Sequence, residues 1–79
     1  MKVTLKLLVT YRKYLPPEAE NGAIELEVPV GTHAVDLVRR FGVPTDGESV
    51  ILVNGSTPDP DVSLQEGDVV FVFPAMAGG

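Results

Sequence analysis

Five successive apolar residues, Val69-Val70-Phe71-Val72-Phe73, constrain this chain more than any other stretch. A strand without polar alternation belongs inside a sheet, and burying both of its faces takes a layer on each side. The rest of the chain holds one helical pattern, so only one face can be covered that way. The excess apolar surface, drawn from Val70, Val72, Phe71 and Phe73 together with Leu8, is therefore expected to form an exposed patch. Such patches mark partner surfaces. The competing expectation is that the segment 11–22 folds over that face instead.

The other elements fall in place around this strand. Residues 3–9 alternate, with Val3, Leu5, Leu7 and Val9 on one face, broken only by Leu8. Ile24, Leu26 and Val28 alternate with Glu25 and Glu27 to give a second strand over 23–29, after the turn signal Asn21-Gly22. The first two strands read as an antiparallel hairpin, with Lys2 and Lys6 facing Glu25 and Glu27. A helix is expected at about 33–41, with Thr32 as N-cap and Gly42-Val43-Pro44 as the stop. Its apolar face is Ala34, Leu37, Val38 and Phe41. Ser49 to Val53 is a third strand, ended by Asn54-Gly55, and Pro58-Asp59-Pro60 forbids a central strand between it and the last one. One helix against four or five strands predicts an α+β fold, a mixed sheet with the helix on one side.

A chain of 79 residues forms one domain, which buries only about 60% of the surface its unfolded form exposes. That leaves no room for a deep cleft. Without cysteine there is no disulfide, thiolate metal site or cysteine nucleophile, and a lone His33 does not make a metal site. The net charge of −5 argues against nucleic acid as a partner. Met1 to Lys6 lacks the apolar core of a signal peptide and no apolar run approaches spanning length, so the expected location is the cytoplasm, with no membrane partner. Glu18, Glu20, Glu25, Glu27 and Glu48 are scattered surface carboxylates. Asp59 and Asp61 lack the further oxygen ligands a calcium site needs.

The last residues, Pro74-Ala75-Met76-Ala77-Gly78-Gly79, read differently from the rest. Glycine costs more backbone entropy to fix than any other residue, so two at the end of a packed domain bring it nothing. In an extended tail, with no Cβ, they let the backbone enter a narrow channel. The expected division is a folded domain at 1–74 and a flexible tail at 75–79, with Pro74 ending the last strand's hydrogen bonding.

Gly31-Thr32-His33-Ala34-Val35-Asp36-Leu37, Val53-Asn54-Gly55, Leu64-Gln65-Glu66-Gly67-Asp68 and the final Phe73-Pro74-Ala75-Met76-Ala77-Gly78-Gly79 together resemble the MoaD/ThiS family of sulfur carriers, over the whole chain. The resemblance implies a ubiquitin-like β-grasp fold. Tyr11-Arg12-Lys13-Tyr14-Leu15-Pro16 and Phe73-Pro74 look more like the small subunit of molybdopterin synthase than the thiamin carrier. It further implies that the Gly79 carboxylate is adenylated and converted to a thiocarboxylate, that Pro74, Ala75, Met76, Ala77 and Gly78 form the inserting tail, and that Phe71, Phe73, Val70, Val72 and Leu8 meet the partner. No cofactor would be bound tightly, ATP being used by the activating enzyme. The implied partners are a ubiquitin-activating-type adenylyltransferase (MoaB/MoeB/ThiF-like), a MoaE-like molybdopterin synthase large subunit, and a sulfurtransferase as sulfur source. Such a chain is a carrier or non-catalytic subunit rather than an enzyme by itself. A thiazole or tungstopterin sulfur carrier, a ubiquitin-like modifier and an inert-tailed binding module remain open.

Overall fold

The computed structural model describes residues 1–75. Strands β1 (Lys2–Leu7), β2 (Ala23–Glu27), β3 (Ser49–Val53) and β4 (Val69–Pro74) form one sheet in the order β2-β1-β4-β3, and helix α1 (Ala34–Arg40) packs on one face. β1 and β2 are antiparallel, pairing Lys2 with Glu27 and Thr4 with Glu25, and the expected opposition of charge appears as a Lys2–Glu25 contact of 3.5 Å. β4 runs parallel to β1 and antiparallel to β3. It is therefore central, as its unbroken apolar run requires.

Alternation sorts each strand between two unlike faces. Val3, Leu5 and Leu7 of β1 and Val70 and Val72 of β4 point toward α1, where they are buried with Ala34, Leu37, Val38, Val28, Val43 and Leu64. Lys2, Thr4 and Lys6 of β1 and Val69, Phe71 and Phe73 of β4 point the other way, and none of them is buried. The ladder extends this second face to Val50 and Leu52 of β3, which stand opposite Phe73 and Phe71.

Both Asn-Gly pairs make the tight turns their chemistry favours. Asn21 and Gly22 take φ of 55° and 77°, Asn54 and Gly55 take 53° and 88°, and in each turn the flanking residues exchange two backbone hydrogen bonds. Two successive positive φ values define the turn whose twist suits a hairpin.

Three local expectations are corrected. β1 ends at Leu7 instead of continuing to Val9, because Val9 takes φ of 57° and starts a 3-10 helix, Val9–Tyr14. Its side chain is 64% exposed rather than in the core. β2 stops at Glu27, with Val28 still bonded to Met1 through both backbone groups. The helix N-cap is His33, whose N–H donates to Asp36 at 3.3 Å, while Thr32 Oγ1 donates back to the Pro29 carbonyl at 2.7 Å and closes the preceding turn.

Two stability tests follow from these placements. A left-handed conformation costs a non-glycine residue roughly 1–2 kcal/mol, and Val9 recovers little of that through burial. Val9→Gly is expected to raise stability by about 1 kcal/mol in urea denaturation, the strain relieved outweighing glycine's extra entropy loss. Val72→Asp, which buries a charge among apolar side chains, should abolish the cooperative unfolding transition, whereas Phe71→Asp should leave it in place. Equal losses would mean that both sheet faces are covered.

Candidate functional site

The residues singled out in the sequence divide by strand register. Val70 and Val72 are both 0% exposed and pack under α1, so neither contributes to a partner surface. The correction has a simple cause: an unbroken apolar run still alternates in direction, and the helix claims every second residue. Phe71 and Phe73 lie on the open face and are half-buried. Leu8, extended and bonded through its N–H to the Val72 carbonyl, follows Leu7 onto that same face.

Val50 and Leu52 complete the apolar surface, since their register sets them beside Phe73 and Phe71. They were missed because Ser49 to Val53 shows almost no polar alternation; only the pairing with β4 tells which of its residues face outward. Lys6 Nζ stands 5.3 Å from the centre of the Phe71 ring and Lys2 lies further along the same strand, so the patch has a basic border. Beyond β1, Glu25 and Glu27 of β2 make its far side acidic. The segment following β1 does not cover this face. Its buried member, Tyr11, joins the helix-side core.

The open face runs up to the start of the tail. β4 ends at Pro74, paired with Ser49. The expectation that Pro74 ends the hydrogen bonding is corrected, because Ala75 N–H donates to the Glu48 carbonyl at 2.7 Å. Proline is accommodated since the ladder bonds to β3 are made by the alternate residues Phe71, Phe73 and Ala75; at position 74 the nitrogen faces away from that strand. The folded unit thus holds Ala75 as well as residues 1–74. Met76, Ala77, Gly78 and Gly79, which include the expected reactive group, lie outside the described residues.

A polar knot surrounds the tail's root. Ser49 Oγ lies 2.8 Å from the Tyr11 hydroxyl and donates to the Pro44 carbonyl at 2.6 Å. Asp46 Oδ1 accepts from Glu48 N–H at 2.9 Å, which orders the turn entering β3. The sequence leaves the place of Tyr11 undecided. No short-range pattern reports that residues 11 and 49 meet.

Little else in the described residues suggests chemistry. No group of three or more His, Asp or Glu stands where it could hold a metal. A depression of about 120 Å³ between α1 and the 58–62 loop, lined by His33, Ala34, Ile51, Pro58, Pro60 and Val62, does not adjoin the tail's root. Among the described residues no helix is long and apolar enough to cross a membrane.

Similarity to solved structures follows this architecture. A Pyrococcus furiosus protein assigned as molybdopterin converting factor subunit 1 is 28% identical, with TM-score 0.73, covering 95% of this chain and 98% of its own. The Haloferax volcanii HVO 2177 protein, known from a solution structure, aligns with TM-score 0.77 at 24% identity, over 100% of this chain and 87% of its own. SAMP1 from Haloferax volcanii aligns over the full length of both chains with TM-score 0.70 and 19% identity. The last two likenesses carry the fold alone. No curated protein matches. The fold is the ubiquitin-like β-grasp, and the Mut7-C ubiquitin family model matches residues 1–78. Open apolar face, central parallel strand and anchored tail root thus belong to a ubiquitin-like chain, a member of the Mut7-C ubiquitin family.

Proposed function

We propose that this protein is a sulfur carrier that works through Gly79 as its terminal residue. The observation that carries the reading is the direct run from an open apolar sheet face, Leu8, Phe71, Phe73, Val50 and Leu52, to a tail root held at Ala75. A partner seated on that face would receive the following residues at a set place. Beyond the anchored Ala75 the four residues to Gly79 can span about 14 Å when extended, enough to reach a neighbour's active site while the folded body stays outside.

The chemistry needs no side chain of this protein. The Gly79 carboxylate, ionised at neutral pH, attacks the α-phosphate of ATP on an activating enzyme; the new C–O–P link forms as pyrophosphate leaves. A persulfide on a sulfurtransferase attacks the acyl carbon and expels AMP, leaving an acyl disulfide. A thiol of that donor then cleaves its S–S bond, taking up the oxidation as a protein disulfide and releasing the thiocarboxylate. In the acceptor's site the thiocarboxylate sulfur bonds to an electrophilic carbon and displaces an oxygen leaving group from it; water then attacks the acyl carbon, the acyl C–S bond breaks, the carboxylate returns and the sulfur stays on the acceptor as a thiolate.

Within this chemistry, the small-subunit role in molybdopterin synthase has the best support. It rests on the Pyrococcus likeness over nearly the whole of both chains. The partners on this reading are a MoaE-like large subunit, a MoeB/ThiF-like adenylyltransferase and a sulfurtransferase, all in the cytoplasm. Carriage of sulfur to a thiazole or tungstopterin differs from it only in the acceptor.

Top-down mass spectrometry of the protein from its own cells tests the reading. It asks both that the chain end at Gly79 and that sulfur replace one oxygen there. Fragmentation has to place the added mass on Gly79, because the exchange nearly matches one methionine oxidation and Met1 and Met76 both oxidise. Gly79→Ala, or one residue added after Gly79, is expected to cut thiocarboxylate formation with ATP, activating enzyme and sulfur donor by at least about tenfold, at an unchanged melting temperature. Undiminished sulfur transfer by these variants would overturn it.

A further inference from the structure

Tyr11 is 7% exposed, and its ring packs in the helix-side core, a role phenylalanine would fill as well. Its hydroxyl is what distinguishes it. Ser49 Oγ spends its single proton on the Pro44 carbonyl at 2.6 Å, so at the 2.8 Å contact Tyr11 must donate and Ser49 accept. A second, longer approach of the Tyr11 hydroxyl, 3.4 Å, reaches the Glu48 carbonyl. That carbonyl is the one that takes the Ala75 N–H at 2.7 Å. The hydroxyl chain therefore ties three segments, the 3-10 helix, the loop after α1 and the entry to β3, at the peptide that grips the tail.

We propose that Tyr11 is a positioning residue for the tail: its hydroxyl, through Ser49, fixes the Glu48 carbonyl and with it the direction in which the chain leaves Ala75. The proposal rests on the carrier reading above and assigns the tail's aim to residues far from it in sequence. Geometry makes that aim consequential. In a partner's channel that holds them extended, the four residues after Ala75 span about 14 Å, so a 20° change in the direction of the root moves their far end by about 5 Å. Misplacement of a reacting atom by as little as about 1 Å can cost a hundredfold in rate. On the carrier reading docking uses Phe71, Phe73 and Leu8; Tyr11 bonds the Leu8 carbonyl through its backbone N–H at 3.1 Å, which phenylalanine keeps, and its ring lies in the helix-side core, so loss of the hydroxyl should appear in turnover and leave the apparent affinity alone.

The test compares the wild-type chain with Tyr11→Phe, Ser49→Ala and Ser49→Thr. Each is assayed by ATP–pyrophosphate exchange on the adenylating enzyme of the same cell, and amide hydrogen exchange at Ala75 is followed by NMR, with Leu37 as a core control. For Tyr11→Phe and Ser49→Ala the expected result is Ala75 exchange faster by about tenfold, unchanged Leu37 exchange, kcat lower by about tenfold and KM within twofold of wild type. Ser49→Thr, which keeps the hydroxyl, should restore both readouts. Unchanged Ala75 exchange in Tyr11→Phe, or a KM that rises in place of the fall in kcat, overturns the proposal. The two readings fail separately. A wild-type chain that is not adenylated, with Ala75 exchange still accelerated in Tyr11→Phe, rejects the carrier and leaves the anchor standing; normal adenylation with unaltered exchange rejects the anchor alone.

Discussion

The parallel ladder between β1 and β4 is the interaction on which the rest of this structure depends. It joins strands near the two ends of the folded unit, pairing Thr4 with Val69 and Leu7 with Val72, and so places the strand that leads into the tail at the centre of the sheet. A parallel pair cannot be closed by a tight turn and needs a long crossover. Here the crossover carries β2, α1 and β3, and α1 lands on one face. One helix covers one face of four strands. The asymmetry of the described residues follows from that: a buried core on one side and, on the other, an apolar surface that no described element covers.

Position of the tail's root is a consequence of the same ladder. Because β4 is flanked by β1 and β3, its last residues are held from the β3 side even after β1 has turned away at Val9. Proline at 74 would interrupt an ordinary central strand. It is tolerated because β1 has already ended, leaving no bond for a proline N–H to make on that side, while Ala75 takes the next bond to β3. The strand's strongest local disruption therefore falls where it costs least. The left-handed Val9 belongs to the same corner, since its departure from β1 carries the chain into the 3-10 helix that delivers Tyr11.

Polar groups at this corner bond one another. Ser49 both accepts and donates, Asp46 bonds the N–H of Glu48, and the Glu48 carbonyl takes Ala75. A satisfied cluster beside a core is rigid because breaking one bond leaves its partners desolvated and unpaired. That cluster holds the end of β4 through the bond from Ala75 to Glu48.

Much of this was legible in the residues. The α+β class, the hairpin of β1 and β2, the helix around residues 34–40, the central place of β4 and both Asn-Gly turns follow from local physics: side-chain period, the left-handed tolerance of Asn and Gly, and the cost of an uncovered apolar run. That part of the apolar run, with Leu8, would be left on an uncovered face was legible too. Tertiary structure alone decided which half of the apolar run faces out, because alternation sets only relative direction and the helix decides which side is inside. That choice sent Val70 and Val72 into the core and brought Val50 and Leu52 to the surface. It alone decided that Val9 leaves the strand, that Ala75 remains in the ladder, and that Tyr11 meets Ser49, since these depend on contacts between residues distant along the chain, which no local pattern encodes.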